Sequence, residues 1–140
     1  DLENLVLFQL DKTNKIVKQH SQKKFDELNL GLTIEQWIIL KIIYESGAES
    51  QKQIAKLSNR DPASITRTLD LLSKKKFIKR ESIPDNRRQY RIVLTKTGQR
   101  FVEEQMPVIR EERKRSINGF DKNEIDMLRS FLMRIQKNME

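Results

Sequence analysis

The chain has 140 residues and a formal net charge of +8. This length holds one compact domain, or a small domain with an oligomerisation segment, but not two full domains. The absence of cysteine excludes disulfides, thiolate zinc sites and thiol-based redox switches, and it fits a reducing compartment. Apolar runs such as residues 37–40 are far shorter than the ~20 residues of a membrane span, so we expect a cytoplasmic protein without a membrane partner.

The positive charge is concentrated in residues 60–100. This segment holds 12 basic and 4 acidic residues, so its surplus equals that of the whole chain and the remainder is neutral. A basic block inside a neutral protein is typical of a module that binds a polyanion, although a solvated charged face has the same composition. The order of the predicted elements is needed to distinguish a polyanion-binding module from a solvated charged face.

The first part of the chain is predicted to be helical. A first helix spans residues 2–28. Thr33 and Gln36 form a capping box, in which each side chain bonds the other residue's backbone N–H, and this starts a second helix that ends at Ser46. Ser50 and Gln53 repeat the capping box at the start of a short third helix.

A fourth helix is predicted to begin at Asp61-Pro62, an N-cap followed by proline, and to run to about Lys75. Ile65, Leu69 and Leu72 fall on one face and predict a buried stripe. The opposite face and its flanks carry small, polar or charged residues that can approach base edges: Ala63, Ser64, Thr66, Arg67, Asp70 and Lys74.

Two strands are predicted over residues 77–83 and 90–94, joined by a turn-rich loop over 84–89. The tip of this hairpin presents Arg87 and Arg88.

Two further helices follow the hairpin. Thr95 or Thr97 caps the first of them, in which Pro107 predicts a kink. Asp121 caps the last helix, whose apolar stripe consists of Leu128, Phe131, Leu132, Ile135 and Met139.

This order of elements, with the basic block centred on the fourth helix and the hairpin, resembles the MarR family of winged helix-turn-helix transcriptional regulators over nearly the whole chain. The motifs that carry the resemblance are Leu32-Thr33 with Gln36-Trp37 and Leu40, Gln53-Ile54-Ala55, Ser64-Ile65-Thr66-Arg67 with Leu69 and Leu72, Asp85-Asn86-Arg87, and Leu94-Thr95 with Gly98. Each motif is weak alone, but their order and spacing together are specific.

The resemblance implies a mainly α fold with a small β-hairpin wing. Residues 31–97 would form the winged helix-turn-helix DNA-binding domain, and residues 1–30 and 98–140 a helical dimerisation region. The implied function is a sequence-specific regulator of transcription, with repression as the expected effect. Catalysis is not expected, because the chain has one histidine, no glycine-rich phosphate loop and no metal-ligand cluster, and no cofactor is expected either.

In such proteins the fourth helix lies in the major groove of double-stranded DNA, which makes Arg67 the expected reader of guanine; a contact to phosphate is the alternative. The hairpin tip would enter the minor groove with Arg87 inserted. Asp85 would orient Arg87, unless the two form an ordinary exposed ion pair. The other expected DNA contacts are Gln53, Arg60, Ala63, Ser64, Thr66, Lys74, Lys75, Asn86 and Arg88.

The apolar stripes of the first, fifth and sixth helices predict a homodimer that matches a pseudo-palindromic operator, the alternative being an intrachain bundle in a monomer. Family members often bind a small anionic aromatic effector between the dimerisation helices and the DNA-binding lobe. His20, Trp37 and Tyr44 are candidates for such a pocket, although simple packing is the favoured explanation for such residues. The alternative function is a winged-helix module that binds protein or RNA without recognising an operator.

Overall fold

The computed structural model describes the backbone of residues 1–140 and the side chains of all of them except residues 48, 49 and 87. The helices are α1 (Val6–Glu27), α2 (Ile34–Ser46), α3 (Gln51–Ser58), α4 (Pro62–Lys74), α5 (Lys96–Arg113) and α6 (Lys122–Asn138). The strands are β1 (Ala48–Glu49), β2 (Ile78–Ile83) and β3 (Asn86–Leu94), in the order β1-β3-β2. Within the described residues, every helix is too short or too polar to cross a membrane.

Local capping bonds start the helices where the sequence predicted. The Thr33 hydroxyl accepts from the backbone N–H of Gln36 at 3.2 Å, while the backbone N–H of Thr33 donates to Gln36 Oε1 at 2.9 Å. The same reciprocal box opens α3 at Ser50 and α6 at Asp121. Because these bonds satisfy backbone donors that the first helical turn leaves open, the helix starts can be predicted within four residues of sequence.

The hydrophobic core is built around α2, on which Ile39, Leu40 and Ile43 are completely buried. Trp37, also on α2, meets Phe101 of α5 edge-on, with ring centroids 6.3 Å apart. Phe101 in turn stacks on Phe77 at the start of the hairpin at 4.5 Å. The other fully buried side chains that pack into this core are Ile54, Ile65, Leu69, Leu72, Ile78, Ile92 and Val102.

The sheet differs from the prediction in two ways. The predicted loop over residues 84–89 is wrong: Pro84 and Asp85 alone form the turn, because Asp85 adopts a left-handed φ of +67° and Ile83 pairs directly with Asn86. Strand β1 was not predicted. It pairs with β3 in the register Ala48↔Val93, and a two-residue strand has no periodicity that a sequence pattern can reveal.

The helices at the two ends also differ in detail. The predicted helix over 2–28 is interrupted at Leu5, whose backbone is extended, so a 3₁₀ turn at Leu2–Asn4 precedes α1. Thr95, and not Thr97, caps α5, and the helix is continuous through Pro107. A second 3₁₀ turn at Lys114–Ile117 follows α5.

The apolar stripe of α6 is left uncovered in a single chain. No residue of α6 is buried, and the first half of α1 is similarly open. The large apolar side chains exposed on these two helices are Val6, Leu7, Ile16, Met127, Leu128, Phe131 and Met133. This surface lies apart from the core around α2.

Candidate nucleic-acid interface

Helix α4 presents one face to the core and the other to solvent. Ile65, Leu69 and Leu72 have no exposed surface, and this fixes how the helix is rotated about its axis. Ala63, Thr66, Arg67 and Asp70 are consequently exposed, and Ser64 is half-buried. The predicted reading face of α4 is therefore open to a partner, with Arg67 near its middle.

The hydroxyl of Thr66 is already engaged. It donates to the carbonyl oxygen of Pro62 at 3.0 Å and accepts from Nε2 of Gln51, the first residue of α3, at 2.6 Å. These two bonds hold the side chain so that α3 and α4 are joined at the edge of the reading face. Gln51 was not among the predicted site residues, because the contact joins residues that are distant in sequence.

An ion pair ties α4 to the wing. Asp70 on the exposed face of α4 accepts from the guanidinium of Arg80 on β2 at 3.0 Å. Arg80 was also not among the predicted site residues. The pair fixes part of the hairpin relative to the reading face, and it neutralises the only acidic group that the prediction placed on that face.

The wing carries cations along β3. Arg88, Tyr90 and Arg91 are exposed, and the backbone N–H of Arg88 donates to Oδ1 of Asn86 at 3.2 Å. Asp85 lies at the exposed turn. The side chain of Arg87, the predicted minor-groove residue, lies outside the described residues, and so does the expected pairing of Asp85 with it.

Arg60, a predicted phosphate contact, belongs to a three-residue network. Its guanidinium lies 3.7 Å from a carboxylate oxygen of Glu35 on α2, and Glu35 also pairs with Lys18 on α1. Partial burial acts to raise the pKa of Glu35, but the bond to Lys18, a backbone N–H and the charges of Lys18 and Arg60 outweigh it and lower that pKa. The network joins α1, α2 and the segment before α4.

Of the other predicted DNA contacts, one side chain is exposed and two already make contacts within the protein. Lys74 is exposed at the end of α4. The Lys75 ammonium lies against Gly31 in the α1–α2 loop, 3.2 Å from where a Cβ atom on that glycine would be. Oε1 of Gln53 accepts from the backbone of Ser50 at 3.2 Å, so this side chain serves primarily as a cap. Lys74 is thus better placed than Lys75 or Gln53 to reach a partner of α4.

The three candidate effector residues do not converge on one pocket. His20 on α1 faces α5, with Nε2 3.0 Å from Oε1 of Glu112. Trp37 is buried in the core, and Tyr44 packs against that core from the same helix. Packing into the core explains the positions of Trp37 and Tyr44, whereas His20 lines a groove between α1 and α5.

Trp37 nevertheless touches a second groove, of about 220 Å³, between α2 and α5. Its apolar floor consists of Trp37, Met106, Ile109 and Ile117. Among the described side chains, its rim carries four cations, Lys41, Arg110, Arg113 and Lys114, and no carboxylate lines it. Such a groove has the chemistry to hold a small aromatic anion.

Part of this chain matches a known protein family. Residues 32–90 match the model of the MarR family, and this segment contains every predicted DNA contact. Over these residues, the chain is similar to the MarR family. Members of this family are regulators of transcription, and a winged helix-turn-helix formed by α2–α4 and the hairpin is the fold of MarR structures.

Three solved structures extend the likeness to the full length. A probable transcriptional regulator from Pseudomonas aeruginosa is 27% identical over 96% of this chain and 99% of its own, with a TM-score of 0.83. A MarR/EmrR family regulator from Acinetobacter sp. ADP1 is 22% identical over 99% and 97%, with a TM-score of 0.90. A mutant of E. coli MarR complexed with operator DNA is 20% identical over 91% and 90%, with a TM-score of 0.80.

Proposed function

We propose that this protein is a homodimeric, sequence-specific regulator that represses transcription by binding a pseudo-palindromic operator in double-stranded DNA. The observation that carries the proposal is the exposed face of α4. Arg67 lies there on a helix whose rotation is fixed by three fully buried residues, beside a cationic wing. The E. coli MarR mutant of the same fold is complexed with operator DNA, which supports this assignment.

The exposed face of α4 enters the major groove in this proposal. Arg67 donates two of its guanidinium N–H groups to O6 and N7 of a guanine. Because the Thr66 hydroxyl is engaged by Gln51 and Pro62, Thr66 offers its methyl group, which suits contact with a thymine methyl. Ala63 and Ser64 allow the backbone of α4 to approach the bases closely.

The wing and the ends of α4 contact the DNA backbone and the minor groove. Arg87 enters the minor groove from the strand that follows the two-residue turn, with Asp85 and Asn86 beside it. Arg88, Lys74 and Arg60 neutralise phosphates, and Arg60 exchanges part of its pairing with Glu35 for a phosphate. Lys75 and Gln53 contribute at the margin, because their side chains already serve the loop and the cap.

The uncovered faces of α1 and α6 form the dimer interface in this proposal. Apolar side chains of both helices line a groove of about 680 Å³, among them Leu5, Val6, Leu10, Leu128 and Leu132. An exposed apolar surface of this extent is covered by a partner in most soluble proteins. A second copy related by a two-fold axis would place two α4 helices on successive turns of a palindromic site.

The cationic groove between α2 and α5 is the proposed effector site. A small aromatic carboxylate would stack on its apolar floor near Trp37 and pair with the cations of its rim. Helix α2 belongs to the proposed DNA-binding domain, and α5 leads towards α6 in the proposed dimer interface. A ligand held between α2 and α5 would therefore change the distance between the two α4 helices of the dimer. Titration of the protein with a simple aryl carboxylate, against the Lys41→Ala variant, tests this site separately from DNA binding.

Selection from a random pool of DNA duplexes at two salt concentrations tests the proposed function. We expect enrichment of a palindrome, together with a steep loss of affinity as salt rises, because several phosphates are neutralised. Binding without sequence preference, or binding only to RNA or protein, would overturn it in favour of a winged-helix interaction module.

A further inference from the structure

Glu112 on α5 carries a buried carboxylate that DNA binding does not use. Its side chain is 8% exposed, and one oxygen, Oε1, lies 3.0 Å from Nε2 of His20. The other oxygen, Oε2, has no hydrogen-bond partner among the described residues. Burying a carboxylate oxygen without a donor is unfavourable because its bonds to water are lost and not replaced. A donor added at this carboxylate would therefore be stabilising.

Glu112 and His20 line a groove of about 300 Å³ between α1 and α5. One wall of the groove is apolar and consists of Ile16 and Val17 of α1, where the groove adjoins the proposed dimer interface that Val17 also lines. The opposite wall carries Arg113 and Arg115. Among the described side chains, no carboxylate lies within 4.0 Å of either guanidinium group, and both can therefore pair with an added anion. The groove thus offers an acceptor, two cations and an apolar wall.

We infer that this groove binds a small zwitterionic molecule. Its ammonium group donates to the Glu112 carboxylate, its carboxylate pairs with Arg115 and Arg113, and its apolar body lies against Ile16 and Val17. A simple cation would satisfy Glu112 but would face two guanidinium groups. A simple anion would satisfy the arginines and leave Glu112 without a donor. A zwitterion supplies both a donor for Glu112 and an anion for the two arginines.

This groove is distinct from the effector groove between α2 and α5. Of the side chains that the structure describes, four cations and no carboxylate line that groove, so it selects an anion, and Arg113 is the one that lines both grooves. Glu112 and His20 are absent from it. Variants of Glu112 and Arg115 therefore test the zwitterion site without changing the effector groove, and the inference does not depend on DNA binding.

Isothermal titration of the full chain tests the inference with three zwitterions of increasing charge separation: phenylalanine, 3-(aminomethyl)benzoate and 4-(aminomethyl)benzoate. The matched half-probes are 4-methylbenzylamine, which has only the cation, and 4-methylbenzoate, which has only the anion. The titrations are made in the Lys41→Ala variant, because 4-methylbenzoate would otherwise also bind the effector groove. We expect at least one zwitterion to bind about tenfold or more tightly than either half-probe, since each charged end adds its own bonds.

The variant Glu112→Gln has two expected effects of opposite sign. It weakens binding of that zwitterion about tenfold, because the acceptor loses its charge, and it raises the melting temperature of the unliganded protein, because a buried charge without a donor is removed. Arg115→Gln weakens zwitterion binding and leaves the melting temperature nearly unchanged. Glu111→Gln, at the exposed neighbouring carboxylate, is the matched control and changes neither measurement.

Failure of all three zwitterions to bind would overturn the inference, as would binding of 4-methylbenzoate as tight as that of any zwitterion. A loss of binding that is equal in Glu112→Gln and Glu111→Gln would also overturn it, because it would reflect overall charge. If Glu112→Gln instead weakens self-association and leaves probe binding unchanged, a second copy of the chain supplies the donor and no zwitterion site exists.

Discussion

Gly98, in the first turn of α5, lies so close to Phe77 that a Cβ atom on the glycine would be 2.0 Å from the Phe77 carbonyl oxygen. The same carbonyl accepts from the backbone N–H of Thr95 at 3.0 Å, and the Thr95 hydroxyl donates to Lys76 and accepts from Gly98. The start of α5 is thereby fixed to the connection between α4 and β2.

We expect Gly98→Ala to destabilise the fold by about 1–3 kcal/mol or more, because the Phe77 carbonyl is a backbone group and cannot rotate away from the added methyl group. In an unconstrained helix the same change would stabilise by up to ~1 kcal/mol, so the sign alone is informative. Urea unfolding followed by circular dichroism measures the effect, with exposed Thr97→Ala as the control. A Gly98→Ala protein as stable as the parent would contradict the close approach.

Asp70→Asn removes the ion pair with Arg80 and should act on recognition more than on stability. The pair is largely exposed, so the free energy of unfolding should change by less than ~1 kcal/mol. The preference for the enriched operator over a scrambled duplex should fall by up to about fivefold, because the hairpin is no longer tied to α4. Fluorescence anisotropy with both duplexes measures this ratio.

Asp126→Asn is the matched control, because it breaks a similar surface pair, with Arg129, on α6. Equal changes in the preference ratio for the two variants would show that Asp70 acts through total charge only.

The Glu35 network predicts a pH dependence of stability. The pKa of Glu35 is lower in the folded protein than its ordinary value of 4.5, so its contribution is present above that value and is lost as pH falls through the folded pKa. Between about pH 6 and pH 3, the unfolding free energy of the parent should therefore fall more steeply than that of Glu35→Gln. Denaturant titrations across this range test the difference.

The same substitution at Glu104, an exposed carboxylate of α5, serves as the control for Glu35→Gln. Parallel pH profiles of the parent and Glu35→Gln would contradict the proposed role of Lys18 and Arg60.

Leu128→Glu tests the proposed dimer interface. Leu128 is 48% exposed in a single chain, so a charge there should leave each chain folded, but a buried unpaired charge in the interface should shift the protein to monomers. Size-exclusion chromatography with light scattering gives the mass, and circular dichroism confirms the helices. Gln136→Glu places the same charge elsewhere on α6. A parent protein that is monomeric at micromolar concentration would refute the interface.

Helix starts could be predicted from the sequence because their determinants are local. The capping residues Thr33, Ser50 and Asp121 bond to groups three residues away, and the buried stripe of α4 follows from helical spacing. The extent of the wing could not be predicted, because β3 begins at the polar Asn86 through its pairing with Ile83, before a register shift that places Tyr90 opposite Ser82.

The contacts that refine the candidate site were equally invisible in the sequence. Gln51 meets Thr66 and Asp70 meets Arg80 across different elements, so these contacts depend on how the helices and the hairpin pack. Glu112 looked like one more surface charge on a helix rich in them. Its burial follows from the packing of α1 on α5, which no local pattern encodes.

The central claim, that α4 reads base pairs through Arg67, is tested most directly by measuring the affinity of the parent and Arg67→Ala for the enriched operator and for every single-base substitution of it. Lys122→Ala on α6 removes the same charge outside the interface. We expect Arg67→Ala to lose about 1–3 kcal/mol on the operator and to lose its preference at one G·C pair in each half-site. An equal loss on all sequences, with preferences intact, would contradict base reading and leave Arg67 as a phosphate contact.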